Sequence, residues 1–405
     1  MTTLLYEDFA RAYVTEVGSA VRRMLPRGPE AVDLLAKATN GGGQIRAFGN
    51  GGSSAIVRAA LLQLHAQAAA AVDDSMMSPA ALAYSAQRDY RRVFARSLAR
   101  DIDRTGLVVV ASVSGRSANI LEAVRLCAEH RVPVLALVGG DGTQMQPADG
   151  MVWASGTTDQ QISEDAMLTV LTLTAAALAP GAQPLAARAE QHLHALAAVD
   201  TELLGAFLRE ATEAVAGAIR SRHRIYVLCP DGGPLALAGE HFAHNLHWDA
   251  PLGVDGVRPP LVVCDPSLAD MSAILNDHPD PAHGVRYQLS GAGPGDVVFL
   301  LAYDPAGRTT REAVTAATAA GVQPFLLHRD GPGGAGARGL RLPGVNDFAL
   351  AALVQSVAHL LCRTTRAALT EERSGPAAAL SPADLMARDL APLRELSDLS
   401  DNLTR

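Results

Sequence analysis

The chain has 405 residues, 34 basic and 42 acidic, giving a formal net charge of −8. That length exceeds one compact core and suits two domains. With 48% hydrophobic and 19% charged residues, intrinsic disorder is excluded. No lysine or arginine run marks a nucleic-acid or anionic-lipid surface, so neither nucleic acid nor a membrane is expected as a partner. A small anion is still compatible, because backbone amides and hydroxyls bind phosphate without a basic surface.

Cys127, Cys229, Cys264 and Cys362 lie far apart and form no C-x-x-C pair. This spacing argues for a reducing compartment and against a disulfide frame or a thiolate zinc site. The opening MTTLLYEDFARAY lacks the basic start and apolar run of a signal peptide. The stretch Ala166–Pro180 is apolar but broken by threonines, and shorter than the ~20 residues of a membrane span. The expected location is cytoplasmic.

In chain order, the two halves carry the same succession of elements. The first half opens with helix-like sequence from Tyr6 to Ala38, then a β-like run into a glycine turn, QIRAFGNGGSS at 44–54. A second β-like run follows, LVVVASVSGRS at 107–117, then a helix containing Glu122 to Val124. A third strand, VPVLALVGGDG at 132–142, and an apolar helix at 162–179 complete it. The second half repeats this order: a helix from Ala187 to Ser221, RIYVLCPDGGP at 224–234, DVVFLLAYDPAGRT at 296–309, a helix with Glu312 to Val314, VQPFLLHRDG at 322–331, and an apolar helix at 346–362.

Short apolar strands alternating with helices predict parallel β-α-β units with right-handed crossovers. The fold class is therefore α/β: two doubly wound parallel-sheet, three-layer αβα, flavodoxin-like domains in tandem. The expected boundaries are 1–183 and 184–373, with ALAPGAQPLAA at 177–187 as the break, followed by a helical tail at 374–405. Ligands of such sheets sit at the carboxyl ends of the strands, where the glycine turns lie.

Two loops of the first half suit an anion. In Phe48-Gly49-Asn50-Gly51-Gly52-Ser53-Ser54, glycines let amide N–H groups converge at a helix N-terminus, and the serines add hydroxyls. Ser112-Val113-Ser114-Gly115-Arg116-Ser117 supplies three more hydroxyls at an equivalent strand end. The competing explanation is that these are ordinary N-cap serines.

GNGGSS followed by SVSGRSANILEAV and a later apolar helix resembles the SIS (sugar isomerase) domain, and among its members the sedoheptulose 7-phosphate, or phosphoheptose, isomerases. ALAYSAQRDYRRVFARSLA at 81–99 is similar to that family's middle segment, and the resemblance covers about residues 5–180. It implies a sugar-phosphate ligand, with Asn50, Gly51, Gly52, Ser53, Ser112, Ser114 and Ser117 around the phosphate. GEHFAHNL (239–246), SAILND (272–277) and AHLL (358–361) make the second half a more distant copy. Tandem domains of this kind also occur in glucosamine-6-phosphate synthases and glucokinase regulatory proteins.

The family places a histidine and a glutamate four apart after the first loop, and another histidine on the closing helix, often around zinc. The first half has Ala59, Gln63 and Leu171 at those positions, none of them a base. In the second half the resemblance puts His241 and His359 at the two histidine positions and Asn245 at the glutamate, while Asn276 and Asp277 match a family Asn-Asp pair, where the first half has Ala86 and Gln87. His244 shares a helical face with His241. The candidate catalytic groups are thus His241, His244 and His359, with Asn245, Asn276 and Asp277 as further substrate contacts. No cofactor is required; zinc on His241 and His359 is the one metal the resemblance implies. The loop Asp304-Pro305-Ala306-Gly307-Arg308-Thr309 lacks the serines, and its aspartate opposes a phosphate dianion. His192 and His194 read as ordinary linker-helix residues, and His278 and His283 as a loop pair. The expectation is an aldose–ketose isomerase with a composite site between the halves, working as a homodimer; the alternative is a non-catalytic sugar-phosphate sensor or scaffold.

Overall fold

The computed structural model describes residues 3–68, 72–73, 89–264, 273–274, 276–278, 280–329, 336–343 and 346–374. Ala86, Gln87 and, beyond Ser374, the expected tail lie outside these residues. The chain forms two compact α/β units, Glu16–His194 and Met1–Thr15 with Ala195–Arg405.

The first unit takes the end of helix α1 (Thr3–Met24), then α2 (Gly28–Asn40), β1 (Gln44–Gly49), α3 (Gly52–Ala68), β2 (Val72–Asp73), α4 (Val93–Leu98), β3 (Thr105–Ser112), α5 (Ala118–His130), β4 (Val134–Val138), β5 (Gly150–Ala154), α6 (Gln160–Ala177) and the start of α7 (Leu185–Ala197). Its sheet has the order β2-β1-β3-β4-β5, with every pairing parallel. β3 and β4 are almost continuously buried, as strands covered on both faces must be, and their sequences are near-unbroken Val, Leu and Ala. Phe48 on β1 packs on Phe94 of α4 with ring centroids 5.0 Å apart. All of α6 from Gln161 to Ala176 is buried, with Thr172 and Thr174 returning their hydroxyls to carbonyls one turn back.

The second unit contains α8 (Thr201–Ser221), β6 (Ile225–Leu228), α9 (Pro234–His244), a π-helical turn (Asn245–Asp249), β7 (Val262–Val263), α10 (Pro281–Leu289), β8 (Val297–Ala302), α11 (Arg308–Ala319), β9 (Phe325–His328), β10 (Arg338–Arg341) and α12 (Asp347–Ser374). Its sheet, β10-β9-β8-β6-β7, is again all parallel and has the same strand order once counted within the unit. Asp347–Thr370 is long and apolar enough to cross a membrane, with a mean hydropathy of 1.3, yet 94% of that window is buried as in a core helix.

The sheets are wider than the sequence patterns suggest. Each has five strands rather than three, because two-residue strands (β2, β7) and an edge strand (β5, β10) carry too few alternating residues to stand out. The long opening helices are also divided. A 3-10 turn at Leu25–Arg27 separates α1 from α2, and α8 restarts at Asp200, whose carboxylate accepts from the amides of Glu202 and Leu203.

Candidate functional site

In the first unit the chain leaves β1 toward β2 on one side, while β3 lies on the other. The strand ends of β1 and β3 therefore flank the topological switch point, where doubly wound sheets open a crevice. Gly49 stands beside Ala111 in the register, so the loops after both strands emerge together. Gly49 permits the tight turn from β1 into α3: a Cβ there would lie 2.5 Å from the carbonyl carbon and oxygen of Ser53. Gly51 and Gly115 turn through positive φ (51° and 64°), which other residues adopt at a cost.

Side chains tie the two loops together. Asn50 and Asn119 exchange amide hydrogen bonds of 3.0 and 2.9 Å, and the Tyr90 hydroxyl donates to the Asn50 oxygen at 2.9 Å. Desolvation pushes the Tyr90 phenol above its ordinary pKa, keeping it a neutral donor. Ser112 and Ser117 meet with their hydroxyls 3.2 Å apart. Ser117 occupies the N-cap position of α5, yet its side chain makes no capping bond. That argues against the plain N-cap explanation for this residue. Ser114 turns its hydroxyl back to the Arg116 amide at 3.2 Å. Ser53 is buried and opens α3 beside Gly52, and among the described residues nothing claims its hydroxyl. The hydroxyls of Ser112 and Ser117 and the first amides of α3 thus stand at the carboxyl ends of β1 and β3, chemistry that suits a phosphate.

Ala59 and Gln63 on α3 and Leu171 on α6 are buried. The Gln63 oxygen has no hydrogen-bond partner among the described residues. This unit presents no ionisable group at those three positions.

In the second unit, α9 carries His241 and α12 carries His359, both buried, with ring centroids 5.1 Å apart at an interplanar angle of 83°. The His359 Nδ1 lies 3.3 Å from the Tyr13 hydroxyl, and the Arg363 guanidinium stacks over the Tyr13 ring at 5.1 Å. Asn245 is buried against this cluster's helices where α9 widens into the π-helical turn, and Cys362 Sγ contacts its carbonyl at 3.7 Å. Both polar atoms of the Asn245 side chain lack a partner among the described residues. π-Turns of this kind recur at functional sites, because they re-aim one helix face.

The remaining histidines and the Asn-Asp pair fall elsewhere. His244 is exposed, its ring 6.3 Å from that of His241. Asn276 donates to Asp277 at 3.0 Å, and both are exposed. His278 and His283 stack at 4.0 Å. His247 donates from Nδ1 to the Pro260 carbonyl at 2.8 Å. His194 is exposed, whereas His192 is buried, and desolvation depresses it to about 4. Sequence reasoning passed over Asn119, Tyr90 and Tyr13. Asn119 directly follows the serine loop, and an amide in the first turn of a helix was the available signal; Tyr13 had none, since its contact spans 346 residues.

Residues 11–139 match the family described as SIS domain. A phosphoheptose isomerase of Chlorobium phaeovibrioides is 32% identical over 155 residues, covering 36% of this chain and 70% of that protein. A phosphoheptose isomerase of Thiobacillus denitrificans is 30% identical over 166 residues, covering 37% of this chain and 82% of that protein. The C-terminal domain of glucosamine-fructose-6-phosphate aminotransferase from Francisella tularensis is 15% identical with a TM-score of 0.57, covering 89% of this chain and 94% of that structure, a likeness of fold.

Proposed function

The chain belongs to the SIS-domain family, and from that premise we propose that it is a phosphosugar isomerase interconverting an aldose and a ketose phosphate. Sedoheptulose 7-phosphate is the substrate we favour, because the curated relatives at 30–32% identity are phosphoheptose isomerases. The observation that carries the reading is the Ser112–Ser117 hydroxyl pair beside the glycine loop of α3, at the switch point of a parallel sheet.

In this reading Asn50, Gly51, Gly52, Ser53, Ser112, Ser114 and Ser117 surround the phosphate, fixing one end of the sugar. The reaction moves a proton between C1 and C2 through an enediol, which needs a base and a group that stabilises the developing oxyanion. The first unit has no base at Ala59, Gln63 and Leu171, so the base is assigned to His241 or His359, with Asn245 as a hydrogen-bonding partner of the sugar. His244, Asn276 and Asp277, all exposed, are assigned as peripheral contacts. A division of labour between the two units, completed in a homodimer, is part of the proposal. No cofactor is needed for the proton transfer. Two neighbouring imidazoles fit zinc in part, since that ion prefers four N, S or O ligands; when bound it would polarise the sugar carbonyl.

The test separates binding from chemistry. Ser112→Ala with Ser117→Ala removes two charge-assisted hydrogen bonds of roughly 1.5–3 kcal/mol each, so calorimetric affinity for sedoheptulose 7-phosphate should fall at least a hundredfold. His241→Ala with His359→Ala should abolish isomerisation and leave that affinity within a few-fold. Unchanged affinity in the serine variant refutes the phosphate site. Binding without turnover in the unmodified protein would favour the sensor reading, which the non-ionisable positions of the first unit also support.

A further inference from the structure

The second unit repeats the strand order of the first, so the ends of β6 and β8 flank an equivalent switch point. Three backbone donors of that crevice are already engaged. Asp231, just before the glycine pair Gly232-Gly233, turns its carboxylate across the gap. Its Oδ2 accepts from the backbone amide of Tyr303 at 2.7 Å and of Asp304 at 3.4 Å, in the loop after β8. The Tyr303 hydroxyl in turn accepts from the Leu235 amide at 3.1 Å, in the first turn of α9. Gly232 and Gly233, both at φ 65°, give the turn its shape, and the Tyr303 hydroxyl fits so closely that a Cβ on Gly233 would lie 3.3 Å from it.

Counted from the glycine pairs, Asp231 corresponds to Asn50 of the first unit. Asn50 spends its amide on Asn119 and Tyr90, leaving the loop after β3 to its serines. Asp231 instead sets a carboxylate oxygen on the amides of the opposite loop. We propose that the second unit holds a latent phosphate-class anion site, kept closed by Asp231, whose side-chain oxygen occupies the donors of the opposite loop. The chain then has one open anion crevice, in the first unit, and the second unit is left free of phosphate. Asp304, whose Oδ1 accepts from the Ala306 amide at 2.9 Å, adds a second negative charge that keeps the latent site weaker than the first. The single open crevice rests on the proposed function, whereas the latent site rests on the Asp231 geometry.

Inorganic phosphate is the probe, titrated into the full chain by calorimetry and followed by phosphorus NMR. The unmodified protein should bind one phosphate per chain. Asp231→Ala should add a second, a gain of about tenfold or more in affinity at that crevice, since the amides of Tyr303 and Asp304 become free to donate to it. In the Ser112→Ala/Ser117→Ala background, the same change should take binding from none to one. Asp231→Asn, which keeps an oxygen on the amides, should stay closed. Asp231→Ser, too short to reach both amides, serves if the alanine variant unfolds. Two phosphates bound by the unmodified chain, no added phosphate in a folded Asp231→Ala or Asp231→Ser, or an open site in Asp231→Asn would each overturn the proposal. If the unmodified chain binds none while Asp231→Ala binds one, the first-unit site fails and the latent site stands.

Discussion

Gly49→Ala offers the sharpest test of how the first-unit loop is built. The added Cβ would lie 2.5 Å from the carbonyl carbon and oxygen of Ser53 and 2.7 Å from the Ser54 nitrogen. These are backbone atoms, so no side-chain rotation relieves the clash. Ordinary contact begins near 3.4 Å, so the first turn of α3 must move by about 0.9 Å relative to the end of β1. Overpacking of this kind costs about 1–3 kcal/mol of stability. A displacement near 1 Å at a binding constellation costs up to about a hundredfold in function. The expected result is a folded protein with affinity for sedoheptulose 7-phosphate reduced about 10- to 100-fold. Calorimetry reads the affinity; urea unfolding followed by Trp153 fluorescence in a Trp248→Phe background reads the stability of the first unit. Gly217→Ala is the control: it sits within α8 with nothing within 4 Å of the added Cβ, and should stabilise by about 0.5–1 kcal/mol. Affinity within twofold of the unmodified protein in Gly49→Ala would refute the argument that the close β1–α3 approach shapes the site.

Other outcomes follow from the same structure. His192 is held at about 4 by burial, against about 6.5 when unfolded, so between those values the unfolded chain binds a proton the folded one does not. Stability of the first unit should therefore fall as pH drops from 6.5 toward 4, by about 3 kcal/mol in all, and His192→Phe should flatten that slope in urea unfolding of the Trp153 reporter; an unchanged slope would show that other groups set it. The proposed homodimer should appear as twice the chain mass by light scattering at micromolar concentration, and a monomer there would count against the assembly.

The sequence alone determined the periodic features. Parallel strands buried on both faces need unbroken Val, Leu and Ala, so β3, β4 and β8 were legible as apolar runs. Glycine before Ser53 and in Ser112–Ser117 was legible because a tight turn from strand to helix restricts residue choice. Contacts between residues far apart in the chain left no such trace. The Asn50–Asn119 pair spans 69 residues, Asp231 to Tyr303 72, and Tyr13 to His359 346, and nothing local in either partner specifies the other. The sequence marked Asp304 as hostile to phosphate; only the folded loop placed Asp231 on the amides. It spaced His241 and His244 on one helix, but the packing of α9 and α12 buried the first beside His359 and left the second in solvent. Local pattern reports which backbone forms, whereas the partner of a buried polar side chain is set by tertiary packing, since any donor brought near enough can satisfy it.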